Sequence, residues 1–289
     1  MYDKDIFLSI GVMAYNEENN IGVLLDEFIK QAESIELLFN ITVVASGCTD
    51  RTQNIVRNYA NRDNRINLLI EEQRGGKAAA INHFLDQAKG DLVIISSADV
   101  IPSNDALKRL INAFSDPSIG MTGGRSIPQS SNGIIGLLNR LLWELHHEVA
   151  LCQPKLGELI MIRNIIDKIP KETAADEAAI EALVTQRGFK IKYSPEVIIY
   201  NNGPRGLASF IKKRIRIFVG HLYVMKTMSY RVSTYDMITL ISIVIKKINR
   251  EKKNAFYLFM LIALEAYSRI IAFFEYYLRK KTYHVWRRD

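Results

Sequence analysis

Ile6-Phe7-Leu8-Ser9-Ile10-Gly11-Val12-Met13, followed by Ile21, Leu24, Leu25, Phe28 and Ile29, is the stretch that decides the fold. A short apolar run of this kind reads as a buried strand, and the residues after it repeat at helical spacing. The unit then recurs. Ile41-Thr42-Val43-Val44 reads as a strand, and Ile55, Val56 and Tyr59 mark one face of the helix behind it. Ile66-Asn67-Leu68-Leu69-Ile70 precedes an Ala-rich helix predicted from Lys77 to about Ala88. Leu92-Val93-Ile94-Ile95 precedes a helix carrying Leu107, Leu110, Ile111 and Phe114. Continuously apolar strands alternating with helices specify a parallel sheet covered on both faces. The expected fold is doubly wound α/β.

Ligands of such sheets bind beyond the carboxyl ends of the strands, and the polar residues collect there. Ala14-Tyr15-Asn16-Glu17-Glu18 follows the first strand and Ala45-Ser46-Gly47-Cys48-Thr49-Asp50 the second. Gln73-Arg74-Gly75-Gly76-Lys77 follows the third, and Ser96-Ser97-Ala98-Asp99 the fourth. Any one loop is also readable as helix capping, with Asp50 and either Asn19 or Asn20 as N-caps. Four on one rim point to a ligand site. No GxGxxG follows the first strand, which disfavours a nicotinamide dinucleotide, and Gly75-Gly76-Lys77 lacks the spacing of a P-loop. No His/Cys cluster has zinc spacing, and the adjacent His146 and His147 read as surface or interface residues.

Composition agrees with a globular protein. The 289 residues are 48% hydrophobic and 24% charged, enough for a sizeable core in one or two domains. Two cysteines, Cys48 and Cys152, build no disulfide framework, so a reducing compartment is expected. The start of the chain, Met1 to Asp5, shows no basic and apolar leader, so no secretory signal peptide is expected. The net charge of +7 is uneven: residues 205–289 hold 18 Lys/Arg and 5 Asp/Glu, about +13, leaving about −6 for residues 1–204. Positive charge confined to an apolar tail disfavours a nucleic-acid partner.

Taken in order, the loops resemble the family 2 glycosyltransferases of GT-A type. The family's opening Tyr-Asn-Glu loop is matched by Ala14-Tyr15-Asn16-Glu17-Glu18, and its second loop by Ala45 to Asp50. Gly76-Lys77-Ala78-Ala79-Ala80-Ile81-Asn82 matches its Gly-Lys segment. Ser97-Ala98-Asp99 matches its Asp-x-Asp metal motif with the second acid kept. Thr173-Ala174-Ala175-Asp176-Glu177 resembles the segment holding the catalytic base, and Lys213-Arg214-Ile215-Arg216-Ile217 lies where relatives often have Gln-x-x-Arg-Trp. The match spans roughly residues 5–220.

The resemblance implies a GT-A fold, Rossmann-like and mostly parallel, over residues 1–204, with a helical, membrane-associating region over 205–289. It implies a nucleotide-diphosphate-sugar donor held by Ala14, Tyr15, Asn16, Glu17, Ser46, Lys77, Ala98, Asp99 and Arg216, and a divalent cation, Mn²⁺ or Mg²⁺, on Asp99. A departing diphosphate gathers negative charge, which a cation, Lys77 and Arg216 would neutralise. The general base is Asp176, with Glu177 as its rival; the plain alternative for Asp176 is a solvated residue favouring the helix dipole. Ser46 and Ala45 replace acids on the donor side, leaving the nucleobase open. Lys213 and Ile217 replace the Gln and Trp of processive synthases, so transfer of a single sugar to a lipid-linked or glycan acceptor is expected.

The tail adds a location. Met237 to Ile245 is apolar but too short to span a bilayer, whereas Ala255 to Leu278 is long enough yet interrupted by Glu265, Arg269 and Glu275. Apolar faces beside Lys246, Lys247, Lys252 and Lys253 fit monotopic attachment to an anionic membrane surface at its cytoplasmic face. A non-catalytic sugar-nucleotide-binding relative within an assembly is the alternative function.

Overall fold

The computed structural model describes residues 6–129 and 133–285. Met1 to Asp5, where no signal peptide is expected, lies outside the described residues. Strands β1 (Phe7–Ala14), β2 (Leu38–Ser46), β3 (Ile66–Glu71) and β4 (Leu92–Ser97) pair in parallel in the order β3-β2-β1-β4. Helices α1 (Ile21–Ser34), α2 (Thr52–Ala60) and α3 (Lys77–Leu85) connect them. The chain winds outward from β1 to β3, then crosses back to lay β4 on the other side of β1. That reversal is the switch point, and it opens a crevice between the β1 and β4 ends.

Strands β1, β2 and β4 are mostly apolar because both faces are covered. Leu8, Ile10 and Val12 of β1 pack with Leu24, Leu25 and Phe28 of α1 in one core. Met13, Val44, Val93 and Ile95 pack with Ile81 and Phe84 of α3 in another. Gly11 explains itself in this second layer, since a Cβ there would overlap the Phe84 ring. Helix α3 stops three residues short of Ala88, because Gln87 N and Ala88 N bond to Phe84 O and Leu85 O in tighter i−3 turns.

Beyond β4 the sheet is mixed. It continues through β7 (Leu159–Arg163), β6 (Ile119–Gln129), β8 (Lys190–Asn202) and β5 (Val100–Pro102), in the order β4-β7-β6-β8-β5. Strand β7 runs antiparallel to both β4 and β6, and β5 antiparallel to β8, so the sheet is mostly parallel, as expected, with its antiparallel strands on this side. The remaining helices are α4 (Ala106–Ala113), α5 (Gly133–Cys152), α6 (Asp176–Gln186), α7 (Leu207–Met228), α8 (Met237–Arg250) and α9 (Ala255–Tyr277). Helix α5, inserted between β6 and β7, packs through Leu138, Leu141 and Leu145 against Phe210, Leu258 and Leu261 of α7 and α9.

Helix α9 turns its charges inward. Arg214 of α7 donates two hydrogen bonds to the Glu265 carboxylate at 2.6 and 2.8 Å, and Arg269 lies over the Phe218 ring at 4.3 Å. Its outward side carries Phe256, Phe259, Ile270 and Phe273, continued by Ile238, Ile241 and Ile245 of α8; Ile238 is 83% and Phe256 72% exposed. Among the described residues one helix, Lys252–Tyr277, is long and apolar enough to cross a membrane, with a mean hydropathy of 1.6.

Candidate functional site

The β1 and β2 loops interlock at the switch point. Asn16, in the left-handed region at φ 53°, accepts from Thr49 N at 2.8 Å and donates to Thr49 Oγ1 at 3.2 Å. Glu17 N donates to Thr52 Oγ1 at 2.8 Å, and Glu18 N to Asp50 Oδ2 at 3.0 Å. The other Asp50 oxygen accepts from Thr52 N at 3.0 Å. Asp50 therefore ties two loops together and accepts from the first amide of α2, although Arg51 holds the N-cap position. Asn20 flanks α1 without capping it, because its amide donates to Glu17 Oε2 at 2.6 Å. Arg74 stacks over the Tyr15 ring at 3.6 Å and joins the third loop to the first.

A cleft of about 1520 Å³ runs from this rim into the helical layer. Of the residues expected to hold a donor, Ala14, Tyr15, Glu17, Ser46, Lys77, Ala98, Asp99 and Arg216 line it, together with Asp176 and Glu177. Asn16 does not; its side chain is spent on the loop. Asp99 follows β4 on one wall, and Asp176 and Glu177 open α6 on another.

Three charges meet where α3 faces α6. Lys77 Nζ lies 2.7 Å from Asp176 Oδ2 and 2.9 Å from Glu177 Oε1, the latter a well-aligned hydrogen bond and the former a contact off that direction. Gly76, at φ 91°, starts α3 so that Lys77 reaches across. The His284 carbonyl abuts Gly76, bringing the C-terminal segment over this loop. Thr173 Oγ1 accepts from Ala175 N at 3.1 Å, and Gly220 of α7 packs so closely that a Cβ would lie 2.6 Å from Ala175 N. The carboxylates are thus held from both sides.

Their electrostatics differ. Burial, then the neighbouring Glu177, pushes the Asp176 carboxyl up against the pull of Lys77. Burial also raises Glu177, but Lys77 outweighs it and holds that carboxyl down at about 2. Burial alone would lower the Lys77 ammonium; the two carboxylates outweigh it and keep it above the ordinary lysine range. Asp176 is buried, not the solvated helix-start residue of the plain alternative.

Several cleft residues were not among those expected. Glu158, next to Leu159 at the start of β7, accepts from Asn201 Nδ2 at 3.1 Å, and its backbone carbonyl accepts from Ser97 N at 3.2 Å. Lys155, Glu181, His146, Arg214 and Arg269 line the inner arm. His146 is therefore not a surface residue; it lies against Trp143 at 5.1 Å, and burial, with Lys155 and Arg214 nearby, pushes its imidazole well below the ordinary range. His147 Nδ1 shares a 2.8 Å hydrogen bond with the Tyr193 hydroxyl. Helical periodicity in α5 carries no sign of these neighbours, because Tyr193 and Arg214 follow 46 or more residues later in the chain.

The profile of Glycosyl transferase family 2 matches residues 9–167. The chain is 24% identical over 216 residues to the poly-beta-1,6-N-acetyl-D-glucosamine synthase of Staphylococcus aureus (strain MSSA476), a match covering 70% of this chain and 51% of that one. It is 32% identical over 112 residues to the dolichyl-phosphate beta-glucosyltransferase ALG5C of Trichomonas vaginalis (strain ATCC PRA-98 / G3), covering 37% and 33%. The chain thus spans about half or less of the length of these relatives. Among solved structures, the mannosyltransferase PcManGT of Pyrobaculum calidifontis, in complex with GDP-Man and Mn²⁺, superposes with a TM-score of 0.69 at 20% identity, covering 97% of this chain and 90% of that one.

Proposed function

The chain belongs to glycosyl transferase family 2, and from that premise we propose an inverting enzyme that moves one sugar from a nucleotide-diphosphate-sugar donor to a lipid-linked or glycan acceptor at the cytoplasmic face of a membrane. The observation that carries the reading is the Lys77–Asp176–Glu177 cluster facing Asp99 across a cleft at the sheet's switch point. The donor diphosphate lies along the β1 and β4 ends, where Lys77, Arg216 and Arg74 neutralise it. Its sugar faces α6.

Asp176 takes the acceptor proton. Its raised carboxyl makes it the better base of the pair, whereas Glu177 is held ionised and weakly basic by Lys77. The acceptor oxygen bonds to the anomeric carbon as the bond to the β-phosphate oxygen breaks. The electron pair leaves with the nucleoside diphosphate, and the proton stays on Asp176. In the free enzyme Lys77 damps that base; a bound diphosphate competes for the ammonium, which ties donor binding to activation of Asp176.

The donor set suits a hard divalent cation. No group of three His, Cys, Asp or Glu among the described residues is placed to hold a metal. Mg²⁺ and similar ions are held instead by one or two carboxylates, water and the substrate's own phosphates. Asp99, with Glu158 lining the same cleft, would hold the Mn²⁺ or Mg²⁺, and the ion supplies charge stabilisation to the departing diphosphate. Screening UDP- and GDP-sugars by thermal shift with Mn²⁺, Mg²⁺ or chelator tests this. One donor should stabilise the chain only with metal, release nucleoside diphosphate slowly, and lose both effects in Asp99→Asn. Undiminished binding by that variant in chelator overturns the assignment, and stabilisation without release overturns the enzyme.

For the membrane, the inward charges and outward aromatics of α9 support a helix lying in the interface rather than crossing it.

A further inference from the structure

Past Tyr277 the backbone doubles back on α9. Leu278 N and Arg279 N bond to Phe274 O, and Lys281 N bonds to Glu275 O at 3.0 Å. Lys280 and Tyr283 bend the segment at φ 51° and 55°. Residues other than glycine keep such conformations only where their surroundings hold them. The hold is Glu275, buried on the protein side of α9. Its carboxylate takes Arg279, Lys281 Nζ at 2.7 Å and the Tyr283 hydroxyl at 3.0 Å. The Tyr283 ring packs with Phe218 and Val219 of α7.

The segment crosses from there to the donor loop. Tyr283 and Val285 line the cleft. The His284 carbonyl leaves no room for a Cβ on Gly76, and Val285 Cγ2 lies 3.4 Å from where that Cβ would be. Gly76 starts the helix that carries Lys77, on which the donor diphosphate is placed. A carbonyl oxygen is the negative end of its dipole, so it repels phosphate oxygens instead of binding them. Strap and diphosphate therefore compete for one loop.

The anchor can be reached from outside. The Arg279 and Lys281 side chains are 67% and 49% exposed, and the apolar Leu278 before them is exposed as well. An anionic surface attracts Lys and Arg that come within about a Debye length. Where α9 lies in such a surface, headgroup phosphates compete with Glu275 for both cations.

We propose that residues 278–285 form an autoinhibitory strap over the donor loop, released when anionic lipid draws Arg279 and Lys281 away from Glu275. The proposal rests on the glycosyltransferase reading and adds regulation to it: the site opens to donor at the membrane and stays shut away from it. A site open for only a fraction of the time shows an apparent Kd raised by the inverse of that fraction. The chemical step is unchanged.

The test is UDP and GDP binding to the full chain with Mn²⁺, by isothermal titration calorimetry. It is run without lipid, with phosphatidylcholine vesicles, and with vesicles that also contain phosphatidylglycerol. The wild type should bind its nucleotide about fivefold tighter or more on the anionic vesicles, and no tighter on the neutral ones. Glu275→Gln removes the anchoring charge and should reach that tighter affinity without lipid, with no further gain on anionic vesicles. Tyr283→Phe removes one hydrogen bond and keeps the ring. It should tighten binding in the same direction at an unchanged melting temperature, and it decides the matter if Glu275→Gln fails to fold. Equal or weaker nucleotide binding in Tyr283→Phe overturns the proposal and marks the strap as a lid that retains donor. Wild-type affinity that is the same with and without anionic vesicles also overturns it. Sedimentation is read with the same vesicles, and a wild type that stays in solution overturns the membrane reading and the release mechanism together. Absence of nucleotide binding in every form overturns the donor reading on which the proposal stands, whereas the other failures leave that reading intact.

Discussion

Replacing Lys77 by Met removes an ammonium that contacts both Asp176 and Glu177, leaving two adjacent carboxylates facing each other. Breaking a buried ion pair from one side costs about 3–5 kcal/mol, and an exposed pair contributes about 0–1 kcal/mol. The Lys77 side chain is 26% exposed and that of Asp176 9%, so the expected loss at pH 7.5 is intermediate, about 2 kcal/mol. For a chain of this size that is a fall in Tm of about 3 °C.

The pH dependence carries the sharper test. Glu177 is depressed in the wild type, so its contribution is present above the unfolded value of about 4.3 and lost as pH falls towards 2. Lys77, raised, contributes fully below about 10.4 and leaves a pH 5–8 assay untouched. In the variant both carboxyls rise, so the folded protein takes up protons more readily than its unfolded chain. Its deficit is greatest above those raised values and shrinks as pH falls through them. Differential scanning fluorimetry at pH 5, 6, 7 and 8 should show a wild-type-minus-variant gap widest at pH 7–8 and narrowed at pH 5. A gap that stays constant, or that widens at pH 5, refutes the idea that Lys77 compensates these carboxylates.

The other outcomes follow from the same geometry. Asp176→Asn should lower the rate of sugar transfer by about 10²–10⁴-fold with donor affinity near wild type, since proton removal matters only in the chemical step. If initial rates instead fall in Glu177→Gln and not in Asp176→Asn, the base is the neighbouring residue. Ile238→Asp combined with Phe256→Asp should abolish salt-resistant sedimentation with anionic vesicles while leaving the melting temperature near wild type, because both side chains face outward. Retention of the double variant in high salt argues against immersion of this face. Removing everything beyond Gly203 is a poorer test, because Val224 of α7 packs with Ala175 and Ala178 beside the carboxylates.

Strands β1, β2 and β4 were legible because each is largely buried on both faces, so every residue between Leu92 and Ile95 had to be apolar, whereas β3 at the sheet edge is only partly buried. Strand β6 hides for the opposite reason. Gly120 and Gly124 leave space for Phe189 and for the Val197 backbone, so its sequence shows glycines where a strand pattern would show side chains. The direction of β7 has no local signal at all: Leu159 to Ile162 is as apolar as any parallel strand, and only the return of the chain from α5 reverses it. The candidate residues were legible as loops at strand ends. Their electrostatic partnership was not, since Lys77 and Glu177 are a hundred residues apart and each alone reads as a helix-start residue.

The charges in α9 show how a linear reading can invert a surface. In sequence, Glu265, Arg269 and Glu275 interrupt an apolar run and count against a transmembrane span. In the fold they lie on the protein side, Glu265 on Arg214, Arg269 on Phe218, and Glu275 on Lys281 at 2.7 Å. The face left outward is apolar because the charges have been drawn in. A helix crossing a bilayer would have to carry all three into hydrocarbon or break those pairs, whereas one lying in the interface keeps them and immerses only Phe256, Phe259, Ile270 and Phe273. Because Arg214 and Glu265 also line the cleft, the charges that α9 turns inward are among those that shape that end of the site.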